Sequence, residues 1–402
     1  MKILMGFLFL YLVMPFFGCF NFSLPMQKTY GTIDQYFINS YAIHIGIILI
    51  IVFVLVAPAT RVKDFDYDPT VDPKYINQIL NRSILALLFA MMVELFVFGA
   101  INILLMKVGR GDFRITLGPL GFFYNFFTTY MPGGVIALAS VYYNMSDKRK
   151  EFTIKLIIIY LLAIIIGVLT GYKYTALLIT SAGLVQMSSR IKTKYIILIG
   201  VAFLSLMTFS AYYFMKMDDP STALGYIFAR ATSVALQGSV VVYNFFPEGG
   251  EDSLFALLYA FGNRIASLIT GYSVTDVEFL KINITRLVGY LTYPEADKAL
   301  SGAFNLTVTN FGEGIYYFGK YKYFIFSIIT GLIIGLSIRA YLLSRDKDHT
   351  IKHVMLNIYV MLIVLPWLMG GVMGSLFGIP TIVYMTLLFI VLKLIKAKFI
   401  YE

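Results

Sequence analysis

The sequence predicts an all-α, polytopic integral membrane protein, threaded about ten times through a bilayer, with one large segment on its outer side. Three observations carry that expectation. The 402 residues are 59% hydrophobic and 13% charged, with a mean hydropathy of +0.80. A soluble domain has nowhere to bury so much apolar surface, because its outer residues must face water. The apolar residues come in repeated runs near twenty residues, long enough to cross the hydrocarbon core as helices, and they lack the alternation of an outer-membrane barrel. The basic residues, finally, collect in linkers that all fall on one side.

The spans lie near 3–20, 39–59, 83–106, 118–143, 152–170, 174–189, 195–215, 321–343, 354–371 and 380–397. The first, "MKILMGFLFLYLVMPFFGC", has the form of a secretory signal, but so many apolar runs follow that an uncleaved first helix is the better reading. The linkers "RVKDFDYDPTVDPKYINQILNR", "SDKRKE", "SRIKTK" and "SRDKDHTIKH" and the tail "KLIKAKFIYE" are the basic ones. Threaded through the spans they share one face, which the positive-inside rule assigns to the cytoplasm together with both termini. The net charge of +10 has the same origin and does not call for nucleic acid. The single cysteine, Cys19, excludes an intramolecular disulfide and any multi-cysteine metal site.

The whole of 1–402 reads as one membrane domain, with 216–320 as its large outer segment. That segment is no ordinary water-soluble domain. "STALGYIFARATSVALQGSVVVYNFF" and "SLFALLYAFGNRIASLITGY" are mostly apolar with isolated charges, as expected of interfacial or re-entrant helices. Over 221–246, Arg230, Gln237 and Asn244 recur every seven residues with Tyr226 and Ser233 beside them, which makes one polar stripe if the stretch is a single helix. The stripe faces either water or a site, and the second reading makes Arg230 a site residue. Arg264 and Arg286 are further guanidiniums in apolar surroundings, and Arg286 is also able to snorkel to water.

"KVGRGDFRITLGPLG" gathers Lys107, Arg110 and Arg114 among glycines, which suits either an anion nest or a headgroup anchor. Lys173 occupies a tight outer turn, where it either snorkels or meets a phosphate. Glu94 is the main ionisable group inside the spans, with His44 and Asn102 as lesser polar features; it serves either to hold the bundle together or to relay protons. Asp218, Asp219, Glu251 and Asp252 are adjacent acids best read as solvated loop residues, so no metal is expected.

The most unusual stretch is "TVTNFGEGIYYFGKY", 307–321, where Glu313 sits between Gly312 and Gly314 just before an apolar run. A carboxylate there is either a helix-dipole partner or a base whose pKa a low dielectric raises. The two roles are compatible. Tyr316, Tyr317 and Phe318 lie ready to stack on a sugar or to sit at the lipid interface.

"GYKYTALL" after an apolar span, "YIFARATSVALQG" early in the outer segment and "NFGEGIYYFG" before the next span resemble the Wzy-type polymerases of bacterial surface polysaccharides, which assemble O-antigen or capsule repeat units. Arg110 and Gly121 show once the Arg-x10-Gly spacing that some members carry. The related O-antigen ligases are expected to use a periplasmic histidine. Here His349 and His353 fall on the cytoplasmic side and His44 within a span, which favours the polymerase.

The resemblance implies a multi-pass protein of the bacterial inner membrane. The growing glycan would pass from undecaprenyl diphosphate to an incoming lipid-linked unit on the periplasmic side, without cofactor or metal. It implies partners as well: the bilayer, the lipid-linked oligosaccharide, and a chain-length regulator and a flippase acting alongside. Such a transfer asks for cations on the leaving diphosphate and a base near the acceptor hydroxyl. Arg230, Glu313 and Arg264 are then the expected catalytic residues. Arg110, Arg114, Lys173, Arg286, Gln237 and Tyr316 are the expected substrate contacts. A flippase or the ligase is the alternative; flippases usually spread short loops over both sides and repeat their halves.

Overall fold

The computed structural model describes residues 2–61, 71–105, 107–108, 113, 116–170, 173–188, 191–215, 217, 219–251, 253–292, 300, 305–345 and 349–397. Among these every regular element is helical. Seven helical stretches are long and apolar enough to cross a membrane: Lys2–Asn21, Gln35–Thr60, Pro73–Val97, Arg149–Leu169, Tyr323–Leu343, Thr350–Met369 and Met373–Lys396. The other three expected spans are helical too: 118–143 passes through a π-turn at Phe126–Tyr130, 174–189 is a short helix, and 195–215 is the continuous helix Thr193–Met215.

The long helices are α1 (Lys2–Phe17), α2 (Gln35–Val56), α3 (Pro73–Met92), α4 (Met131–Met145), α5 (Arg149–Leu169), α6 (Lys173–Gln186) and α7 (Thr193–Met215). The shorter α8 (Pro220–Ala231), α9 (Ser233–Phe245), α10 (Asn263–Thr270), α11 (Ile284–Thr292) and α12 (Asn310–Phe318) build the segment expected on the outer side, called the outer segment below. The bundle resumes with α13 (Tyr323–Leu343), α14 (Thr350–Ile358), α15 (Leu365–Met369) and α16 (Ile379–Lys396).

Most of the long helices bury one apolar stripe and leave the opposite apolar face open, while α4 is buried on nearly every side. On α2, Ile48 and Val52 are buried while Ile50, Phe53 and Val54 are exposed. In water that would be untenable, and in lipid it is the normal state. The tightest long-range pairing joins α2 to α13. Gly331 and Gly335 let the helices close up, since a Cβ at Gly335 would stand 2.7 Å from Leu55 Cδ1 and 3.4 Å from Val52 Cα. His44 Nδ1 and Ser327 Oγ, 2.8 Å apart, add a hydrogen bond across this contact. At the opposite end from the outer segment, His353 bridges Gln186 Oε1 (2.9 Å) and Ser344 Oγ (3.0 Å), and Asn144 donates to the Gln186 carbonyl.

Two expectations need correcting. The third span begins at Pro73, ten residues before the expected 83, because Asp72 caps it by accepting from the Lys74 amide at 2.9 Å. It ends earlier as well, in a π-turn over Val93–Val97 and then Gly99 at φ 75°, and not at 106. The stretch 221–246 is not one helix. Thr232, at φ −113° and ψ −91°, separates α8 from α9 and breaks the seven-residue polar stripe. Arg230 is exposed, Gln237 is buried, and Asn244 donates to the Thr32 and Val240 carbonyls.

The outer segment rests on the end of the bundle. The α9 helix packs on α12, tied by Ser239 Oγ to Thr309 Oγ1 (2.8 Å) and by the Gly238 amide to the Thr307 carbonyl (3.1 Å). A 3₁₀ stretch, Ser253–Phe261, sits on the turn Met373–Leu376, where Gly374 and Gly378 approach the backbone of Ala260 so closely that a Cβ would lie 2.9 and 2.8 Å from it. Asp219 caps α8: it accepts from Ser221 Oγ and from the Thr222 amide and hydroxyl, which together hold its carboxyl down at about 2. This acid is therefore a helix cap, while Asp218 and Asp252 lie outside the described residues.

Candidate functional site

Glu313 is the centre of the site. It lies in the first turn of α12, only 1% exposed. Its Oε2 accepts from the Trp367 indole Nε1–H at 2.7 Å, and its Oε1 accepts from the Met373 backbone amide at 2.5 Å. Trp367 lies within α15, and Met373 lies in the turn between α15 and α16. Pro366 supplies no amide to the helix there, and the chain leaves α15 at Gly370 before re-entering helix at Ile379. Glu313 thus ties α12 to α15 and to the turn that joins the last two spans. Desolvation raises its carboxyl to about 8, against smaller lowering contributions from the Met373 amide, the Trp367 indole and Tyr317. The Tyr317 hydroxyl interacts electrostatically with the same carboxylate and is itself pushed well up, first by burial and then by that charge.

Gly312 and Gly314 serve helix packing. A Cβ at Gly312 would meet Ser239 of α9 at 2.5 Å, and one at Gly314 would meet Phe326 of α13 at 3.1 Å. Tyr316 is buried, packs edge-on to Phe246, and points its hydroxyl toward the Lys281 carbonyl at 3.5 Å.

Beside Trp367 opens a cavity of about 160 Å³ with a mouth to the outside. Its walls include Tyr130, Pro366, Trp367, Gly370, Gly371, Ser375 and Thr381. Tyr130 ends a stack of three rings, with Tyr384 at 4.3 Å and Phe122 a further 4.4 Å away, nearly parallel. The Thr381 hydroxyl donates to the Ser375 carbonyl at 2.7 Å. Glu313 stands behind the Trp367 wall without lining the cavity itself.

Of the expected arginines, the two whose side chains are described, Arg230 and Arg286, do not line this cavity. Arg230 is exposed at the end of α8, its guanidinium over the Tyr226 ring of the same helix at 6.0 Å. Arg286 is 5% exposed and donates to the Val274 carbonyl at 3.3 Å and to the Leu300 carbonyl, with Tyr259 nearby; burial lowers its pKa. In this structure its guanidinium is taken up by loop carbonyls of the outer segment and not by the cavity. Gln237 is buried on α9 and lies outside the cavity wall. Arg110 and Arg114 lie outside the described residues, as do the side chains of Arg264 and Lys173; Arg264 is the second residue of α10 and Lys173 the first of α6.

Trp367, Tyr130, Ser375 and Thr381 are the site residues that sequence reasoning missed. One signal was available: Trp367 is the only tryptophan of the chain, and it follows a proline inside an apolar run. Glu94 is fully buried in the π-turn of the third span, and the structure places Tyr124 beside it. No group of three or more metal-ligating side chains occurs among the described residues. No protein-family profile matches the chain, and neither a curated protein nor a solved structure matches it.

Proposed function

We propose that this protein is a membrane glycosyltransferase that polymerises lipid-linked oligosaccharide repeat units of the O-antigen or capsule type. It acts at the face carrying the outer segment, the periplasmic face of a bacterial inner membrane, with both termini in the cytoplasm. The acceptor hydroxyl oxygen bonds to the anomeric carbon of the growing chain. The bond from that carbon to undecaprenyl diphosphate breaks, the diphosphate leaves with the electron pair, and the hydroxyl proton passes to a base.

The observation that carries this reading is Glu313: a fully buried carboxyl, raised to about 8, at the outer end of the bundle and one side chain away from an open cavity of mixed polarity. Burial without a countercharge is expensive and is commonest where the titration is used. Glu313 is tuned to exchange a proton near neutral pH and is coupled to the cavity through Trp367 and the 370–376 turn. In the state described it positions that wall, and its titration sets the wall's charge.

Arg230 is the exposed guanidinium available to the leaving diphosphate, and bidentate contact is its advantage over lysine. Arg264, Arg110, Arg114 and Lys173 are its expected helpers. The α10 helix keeps to the lipid interface: Ile265, Leu268 and Ile269 are all exposed, Leu268 by 83%.

The test is surface glycan displayed on a gel. Deleting the gene should abolish the ladder but leave a single capped repeat, whereas loss of a flippase or ligase removes that band too. Glu313→Gln and Arg230→Ala should each reproduce the single-repeat pattern. An intact ladder in both variants overturns the site, and loss of every band overturns the polymerase.

A further inference from the structure

We propose that the cavity between Trp367 and Tyr130 is a subsite for one pyranose ring, the terminal sugar of the acceptor unit. This deepens the glycosyltransferase reading and rests on it. Three independent features of the wall point to a sugar.

The first is size. A volume of about 160 Å³ is too small for a disaccharide or a lipid tail segment of useful length. It is close to the ~150 Å³ that takes benzene in an engineered protein cavity; a pyranose, larger by its rim of hydroxyls, fits with part of that rim in the open mouth. Ordinary pockets for drug-sized ligands run to about 300–1,000 Å³.

The second is chemistry. An apolar ring would need a dry apolar wall, and this wall is mixed. Trp367 and Tyr130 supply aromatic surface, Ser375, Thr381 and Tyr130 supply hydroxyls, and Gly370 and Gly371 bring main-chain groups to the surface. A pyranose presents that combination, with C–H groups on its faces and hydroxyls on its rim. Among the described residues no Lys, Arg, Asp or Glu lines the space, which disfavours a phosphate or a metal ion.

The third is rigidity. Trp367 is fixed by Glu313, and Tyr130 is held at the end of the Tyr384–Phe122 stack. Thr381 fixes the 375 turn through its bond to the Ser375 carbonyl. Walls already ordered lose little entropy when a ligand binds. Glu313 and Tyr384 are thus positioning residues, while Tyr130, Ser375 and Thr381 set which hydroxyl pattern fits.

The single tryptophan makes the proposal directly measurable, because intrinsic indole fluorescence comes from this wall alone. The full chain is placed in lipid nanodiscs free of sugar-headed detergent and titrated with a panel of methyl pyranosides, with glycerol and inorganic phosphate as controls. One or a few pyranosides should change Trp367 emission saturably, with millimolar half-saturation, and the controls should not. Gly371→Ala tests the same space from within. A Cβ there meets Trp367 Cδ1 at 3.5 Å, an ordinary contact, so the chain folds while the cavity narrows. That variant should weaken the response at least tenfold and shorten the glycan ladder. Thr381→Val should do the same without moving the emission of the free protein.

Flat titrations with every pyranoside, together with full-length ladders in Gly371→Ala and Thr381→Val, would overturn the subsite even where gene deletion leaves a single repeat. Saturable pyranoside binding in a strain whose ladder survives deletion keeps the subsite and overturns the polymerase.

Discussion

Replacing Glu313 by glutamine tests whether the buried carboxyl is neutral or charged in the folded protein. The group has an ordinary value of 4.5 and stands at about 8 when folded. Between those values the folded state holds a proton that the unfolded chain has released, so stability falls as pH rises through that window. At about 1.4 kcal/mol per unit, the loss from pH 5 to pH 8 comes to roughly 3–4 kcal/mol. The side-chain amide introduced by Glu313→Gln does not titrate, so this slope should vanish. That amide also leaves one of the two donors, Trp367 Nε1–H or the Met373 amide, facing an NH₂ group, which costs about 1–3 kcal/mol at every pH. The variant should therefore be less stable than the natural protein at pH 5 and as stable or more so at pH 8. With about 2.1 cal/mol/K of unfolding entropy per residue, 3–4 kcal/mol across the chain corresponds to roughly 4 °C. Unfolding temperature in nanodiscs, followed by Trp367 emission at pH 5, 6, 7 and 8, gives the measurement. Parallel pH curves for the two proteins would refute a neutral Glu313 and with it the proton exchange assigned to the site.

Arg230→Lys should impair the glycan ladder nearly as much as Arg230→Ala, with melting temperature unchanged in both, because the side chain is exposed and only bidentate anion contact is lost. Arg286→Met should leave the Val274 and Leu300 carbonyls without their donor; limited proteolysis in the outer segment should accelerate several-fold, while Arg286→Lys recovers part of the resistance. Gly167→Ala places a Cβ 2.5 Å from the backbone of Ala176, so α5 and α6 must separate; a loss of about 1–3 kcal/mol should appear as a lower yield of folded protein in detergent-resistance assays.

The membrane bundle was legible because an apolar run announces a span without reference to its neighbours. Seven of the stretches marked out by hydropathy are long apolar helices, with ends close to those expected except at the third. That span was misplaced because its first ten residues, PKYINQILNR, are amphipathic and read as linker; a cap at Asp72 and a proline at the first position outweighed the missing hydropathy. The break at Thr232 leaves no trace in a residue with ordinary helix and strand preferences. At the site, Glu313 stood out by composition, but its partners did not. Trp367 lies 54 residues further on and Met373 contributes a backbone amide that any residue would supply, so no local pattern could join them. The arginines are hard to sort for the opposite reason. A guanidinium in apolar sequence looks purposeful wherever it points, and only the fold separates Arg286, bonded to carbonyls, from Arg230, open to the outside.

The α2–α13 contact has a consequence for how the chain is made. His44 and Ser327 are 283 residues apart. Ribosomes add roughly 5–20 residues per second, so α2 waits about 15–60 seconds after synthesis before its mate exists. Throughout that delay an imidazole at mid-helix has lipid where a hydroxyl will later be. A nascent intermediate of this kind needs an insertase or a temporary neighbour to shelter it, and ribosome stalling before residue 327 should leave α2 cross-linkable to whatever protein does so.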